Sequence, residues 1–191
     1  MSASDLLRAA RSVRGVSQRS LAKTSRVPQS RISDIEVGAH DTTVSRLEEL
    51  LAPLGQRVTL LPTRSRPVWE ASLAILEALS VGDENRAWRE VIQLSDDLAA
   101  NSGALRVALC VAPPVLTGDV HYDALIAGIA DHWLTCNRLP RPDWVTEPSR
   151  ILTQPWDVEQ VASLQSAARS DTPKAIARHG IYLAAAELSS I

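Results

Sequence analysis

Between Ser2 and Gly55 the chain holds four runs of apolar residues at helical spacing, each closed by a turn-former or cap. In SASDLLRAARSVRG, Leu6, Leu7, Ala10 and Val13 share one face while Arg8, Arg11 and Arg14 fall off it, and Gly15 stops the run. Ser17 stands where an N-cap belongs, ahead of a second short helix, SQRSLAKTS, with Leu21 and Ala22 facing inward. After a turn at Ser25–Arg26, VPQSRISDIEVG offers Val27, Ile32 and Ile35 to a core, with Pro28 suited to the first turn and Gly38 to the stop. TVSRLEELLAPLG repeats the device with Val44, Leu47, Leu51 and Leu54, ending at Gly55. Helices this short do not persist alone, so four of them in about 55 residues predict a small bundle.

The third run carries more hydrogen-bonding side chains than a bundle needs: Gln29, Ser30, Arg31 and Ser33 crowd the side away from its apolar residues. The pair QRSLAKTSR–VPQSRISDIE has the dimensions of a helix-turn-helix, whose second helix enters the DNA major groove while the first braces against the backbone. The residue types suit that task. Gln18, at the start of the bracing helix, can donate to a phosphate where the helix dipole favours an anion, and Arg19 adds a phosphate contact. Gln29 has the geometry to pair with adenine N6/N7 and Arg31 with guanine O6/N7, while Ser30 and Ser33 serve a base edge or a phosphate. Asp34 is repelled by phosphate, so it lies off the groove or accepts from a cytosine N4. The chain's net charge of −2 hides an asymmetry: residues 1–66 hold eleven Arg/Lys against six Asp/Glu, net +5, and residues 67–191 hold nine against sixteen, net −7. A basic part joined to an acidic part predicts two tasks, one of them with a polyanion.

Residues 4–60 resemble the Xre/Cro/C1-type helix-turn-helix family, SQRSLAKTSRVPQSRISDIEVG following its SQ-x-x-LA-x-x-(A/S)-G-V-x-Q-S-x-I-S-x-I-E-x-G pattern. The resemblance implies a bundle of four or five helices that binds double-stranded DNA, usually as a homodimer on a palindromic operator. Two positions depart from the pattern. Arg26 occupies the place of the turn glycine, which predicts a non-Gly residue at positive φ at a cost of about 1 kcal/mol. Pro28 replaces the usual Ser N-cap of the reading helix. The family's loop and fourth-helix start, which often touch phosphate, correspond to His40 through Thr43, and His40 and Thr43 join the expected DNA contacts.

RVTLLP (57–62) reads as a short strand that needs a partner, either its symmetry mate across a two-fold or the chain's own Ile181–Leu183. The polar TRSRP (63–67) reads as a linker between a helix-turn-helix domain, 1–62, and a second helical domain, 68–191. The predicted fold class is mainly α, the second domain being all-α with few short strands. Residues 139–156, with four prolines, are expected to be largely irregular, and the tail from Ile181 fits a strand or a helix. Long irregular stretches are uncommon unless they have work to do, so Trp144 and Trp156 at the edges of this one are candidates for a partner-docking surface.

Cys110 and Cys136 make no secretory disulfide framework, and no apolar run reaches membrane-spanning length, so a cytoplasmic protein without membrane contact is expected. His132 and Cys136 stand i, i+4 without the further ligands a zinc site needs, and no phosphate loop or nucleophile motif is present. No enzyme, no metal and no cofactor are expected. The two-part layout is similar to that of antitoxins that repress their own operon and neutralise a protein toxin. RHGIYLAAAEL is similar to the end of regulators found beside nucleotidyltransferase-like toxins. A repressor whose second domain senses a small molecule, or only dimerises, is the alternative.

Overall fold

In the computed structural model, which describes residues 2–188, the chain is mainly α-helical and divides into two compact units, Met1–Pro62 and Thr63–Ile191. The first unit is built from α1 (Ala3–Val13), α2 (Gln18–Ser25), α3 (Gln29–Glu36) and α4 (Val44–Leu51), followed by a 3₁₀ turn at Ala52–Leu54. Each start is set by sequence chemistry. The Ser2 hydroxyl accepts from the Asp5 N–H while the Asp5 carboxylate accepts from the Ser2 N–H, a reciprocal cap. Ser17 and Thr43 accept from the N–H groups of Ser20 and Arg46. Gly38, at φ 74°, takes the left-handed conformation that ends α3. Leu7, Ala10, Leu21, Val27, Ile32, Ile35, Leu47, Leu50, Leu51 and Leu54 bury together as the unit's core.

The expected strand at RVTLLP does not form. Residues 56–61 carry no strand, Val58 alone leans on the core, and Leu60 is 94% exposed. Within the single chain the stretch pairs with no described backbone, because the tail, one of its two candidate partners, is engaged elsewhere. Ile181–Tyr182 (β2) pairs in parallel with Trp156–Asp157 (β1), Trp156 opposite Ile181.

The second unit comprises α5 (Val68–Ser80), α6 (Glu84–Ala99), α7 (Gly103–Val111), α8 (Val120–Cys136), α9 (Ala162–Asp171) and α10 (Lys174–Ala177). The stretch 63–67, read as a linker, packs with this unit: Arg66 ion-pairs with Glu90 and Asp97, and the Ser65 hydroxyl accepts from Asn101. Every residue from Asp123 to Asp131 is buried, so α8 is wrapped on all sides rather than amphipathic. Gly128 lets Ile176 of α10 approach to 3.5 Å of where a Cβ would sit. Arg106, itself buried, closes the C-terminal ends of two helices by donating to the carbonyls of Leu98 and Trp133 and to the Asn137 side chain. Asp131, 1% exposed, is held by Arg178, Arg141, Thr135 and His179, which fastens α8 to the segments on either side. The Pro-rich stretch contains two short 3₁₀ turns, Asp143–Thr146 and Pro148–Arg150, and packs against α8. α9 begins only at Ala162, because β1 and an extended link occupy the residues before it. At Gly180, φ 79°, a Cβ would lie 2.9 Å from that of Leu152, so any side chain would force the two segments apart.

Candidate nucleic-acid interface

The outer face of α3 rests on a buried carboxylate. Glu36 sits one turn beyond Ile32, where the apolar stripe would place another hydrophobic residue, and it is 4% exposed. Arg11 grips it with two parallel bonds, Nε to Oε1 at 2.7 Å and Nη2 to Oε2 at 2.8 Å, while its Nη1 donates to the Val16 carbonyl. Arg8 donates to the Glu36 backbone carbonyl at 2.8 Å. Burial pushes the Glu36 pKa up, but the hydrogen bonds from Arg11 and Gln18 and the nearby positive charges outweigh it, and the net shift is downward. The group is therefore a carboxylate, an acceptor only.

That fixes two amides in turn. Gln18 must present its NH₂ to Glu36, at 2.9 Å, so its carbonyl oxygen is left to accept from Gln29 Nε2 at 3.0 Å. Gln29 in turn keeps its own oxygen and a second N–H for an outside partner. One acceptor and one donor, side by side, is what the N6/N7 edge of adenine requires. Gln18 is half-buried and Gln29 exposed, so the relay carries order from the core to the surface. Ser30 is exposed and Ser33 partly so, and Arg19 points from the first turn of α2 into solvent. Gln18, Gln29 and Ser33 flank the side of α3 nearest α2, and Arg31 stands on the other flank.

On that second flank, Arg26, Pro28, Arg31, Asp41, Thr43 and Arg46 line a cleft of about 410 Å³. Thr43 caps α4 with its hydroxyl, and His40 is exposed with its N–H donating to the Asp34 carbonyl. The structure thus gathers Gln18, Gln29, Ser30 and Ser33 at one end of the face, and Arg31 and Thr43 at the cleft. Arg11, Glu36, Arg26 and Arg46 were not among the expected site residues. A Glu in an apolar stripe and an Arg at a turn-glycine position were the signals available for the middle two.

In the second unit, Trp144 cannot form a docking face. It is 3% exposed, its Nε1 donates to the Cys110 carbonyl at 2.8 Å, and Arg150 lies over its ring. A large ring beside the Pro-rich stretch gains more by entering the core than by waiting for a partner. Trp156 is half-buried and packs against His121, ring centroids 4.8 Å apart, and Tyr122. His132 and Cys136 come within 3.7 Å, Cys110 is buried with its thiol pushed up to about 12 by desolvation, and no group of three potential metal ligands exists among the described residues. No described helix is long and apolar enough to cross a membrane.

Residues 7–61 match the model of a helix-turn-helix family. No curated protein and no solved structure matches the chain. The first unit, through its matched residues 7–61, belongs to the Xre/Cro/C1-type helix-turn-helix family of DNA-binding transcriptional regulators.

Proposed function

We propose that this protein is a sequence-specific repressor acting as a homodimer, and that it is the autoregulating antitoxin of a toxin–antitoxin pair. The observation that carries the DNA-reading half is the relay from Glu36 through Gln18 to Gln29, which holds a recognition amide in one orientation before any DNA arrives. Preorganisation of this kind removes an ordering cost from binding. Two copies of the Gln29–Ser33 face, with Arg31 at its edge, enter successive major grooves. Arg19, His40 and Thr43 meet phosphates and set the register.

The antitoxin half rests on the second unit. Its sequence is acidic, and it exposes Leu116, Val120, Val161 and Leu164, each more than half accessible. Acidic surface interspersed with exposed apolar side chains suits a basic protein partner better than a polyanion, and a nucleotidyltransferase-like toxin is the partner class proposed. The test is purification of the tagged chain from its own cells, followed by mass spectrometry. A stoichiometric partner encoded beside it, whose toxicity on expression is relieved by this chain, is the expected result. Recovery of the chain and DNA alone removes the neutralising role and leaves a repressor with a sensing or dimerising second unit.

A further inference from the structure

The N-terminal end of α8 gathers three rings into one cluster. The His121 ring lies 4.8 Å from that of Trp156 and the Tyr122 ring 6.5 Å from it, centroid to centroid. Trp156 comes from the other side, on β1, whose pairing with β2 fixes its backbone. Unlike Trp144, this indole does not enter the core, and His121 and the apolar Val120 before it are exposed. Two carboxylates belong to the same end. Asp119, half-exposed, caps α8 by accepting from the His121 N–H at 2.8 Å, and it lies 3.3 Å from the His121 Nδ1. Glu84, in the first turn of α6, is exposed and pairs with no basic side chain among the described residues. Burial, and then the negative charges of Glu84 and Asp119, push the Tyr122 phenol up, so both carboxylates act on the ring cluster. Two arginines of the adjoining elements are already neutralised: Asp157 holds Arg169 with two bonds of 2.6 Å, and Glu77 holds Arg86 at 2.7 Å.

We infer that this ring cluster is the contact face for the protein partner, and that it seats an arginine side chain of that partner between Trp156 and the carboxylates of Glu84 and Asp119. The inference rests on the partner-binding reading of the second unit and adds to it the place and the chemistry of the contact. Ring faces are negative and attract a cation, and uncompensated carboxylates beside them add to that attraction. A guanidinium is planar and weakly hydrated, so it can stack on a ring while its N–H fork reaches a carboxylate, which a lysine ammonium cannot do. Val120 supplies apolar cover that keeps water from the contact. Nucleic acid would meet like charge here, and so would a second copy of this unit, since residues 67–191 carry a net charge of −7.

Glu84→Lys and Val120→Asp test this at exposed positions, so the fold survives both, and the tryptophan-detected urea midpoint should stay near the parent's. The probe is the purified protein encoded beside this chain, titrated calorimetrically into the full chain. Each variant is expected to bind it about tenfold more weakly or worse, with operator affinity unchanged. Raising the salt should weaken the parent's binding, and weaken that of Glu84→Lys less steeply. Asp143→Lys is the control, an equal charge reversal at an exposed residue. Its neighbour Arg141 bonds Asp131, eleven residues along α8 from Val120 and so about 16 Å away. The control should bind as the parent does. If the probe binds the parent, Glu84→Lys and Val120→Asp alike, this surface is overturned while the antitoxin reading stands. An equal loss in Asp143→Lys would mean that net charge is sensed without a seat, and binding indifferent to salt would remove the arginine; either overturns the inference. A probe that does not bind the parent overturns the antitoxin reading and this surface together.

Discussion

Replacing Glu36 with alanine removes the group on which both the first unit's stability and the order of the Gln18 and Gln29 amides depend. The carboxylate is 4% exposed and the Arg11 side chain 18%. Breaking a buried ion pair on one side costs about 3–5 kcal/mol, because the remaining charge is left without compensation. Arg11 retains the Val16 carbonyl and partial access to water, so the lower end, about 3 kcal/mol, applies. For a unit of about 60 residues that is a fall in midpoint of about 12 °C or more. A second effect is separate from stability. With Glu36 gone, Gln18 and Gln29 turn freely, and immobilising two such side chains on DNA costs about 1–3 kcal/mol in all, roughly a tenfold loss of operator affinity under conditions where the variant is folded. Urea unfolding followed by far-UV ellipticity measures the first. All five tryptophans, at 69, 88, 133, 144 and 156, lie in the second unit, so their fluorescence is an internal reference for it. Fluorescence anisotropy on labelled operator measures the affinity. An unfolding free energy within about 1 kcal/mol of the parent, or undiminished affinity, would refute the relay as described.

Asp131→Ala should destabilise the second unit by about 1–3 kcal/mol, since it removes the buried acceptor on which Arg178, Arg141 and His179 converge, while the two arginines, about half exposed, stay hydrated; the tryptophan-detected urea midpoint checks it. Asp131 and Glu36 both titrate below the usual carboxylate range, because bonds from their basic partners outweigh burial. Their stabilisation is therefore full above the unfolded-state values near pH 4 and is lost as pH falls through the lower folded values. An acid titration followed by both signals should show stability declining below about pH 4, and a rise there would reverse the sign assigned. Arg19→Ala should weaken operator and mixed DNA alike and lower the salt slope by about 1, whereas Gln29→Ala should relax preference at one base pair of each half-site.

How much of this was readable in the sequence depended on whether the cause was local. Caps and stops are local: Ser17, Thr43 and Gly38 announce α2, α4 and the end of α3, and the helices start and stop there. Pairing is not local. RVTLLP has strand composition, yet composition cannot say whether another backbone lies alongside, and the parallel pair formed at Trp156 and Ile181 instead. Trp144 sits among prolines that suggest an exposed loop, and only the packed unit shows its ring and N–H both engaged inside. The face of α3 was legible from its surplus polar residues, but the relay was not. It joins α1, α2 and α3 across 25 and 18 residues, a juxtaposition created by packing. Glu36 in an apolar stripe was the trace it left in the sequence.

The central claim is that the first unit reads DNA sequence through α3. Repeated selection of the purified full chain on a randomised duplex pool tests it most directly. The account predicts enrichment of a palindrome with half-sites centred about 10–10.5 base pairs apart or a multiple of that, with one position per half-site losing its preference in Gln29→Ala. A pool that stays random through selection, or an enriched site that the Gln29→Ala and Ser33→Ala variants read as the parent does, would contradict it.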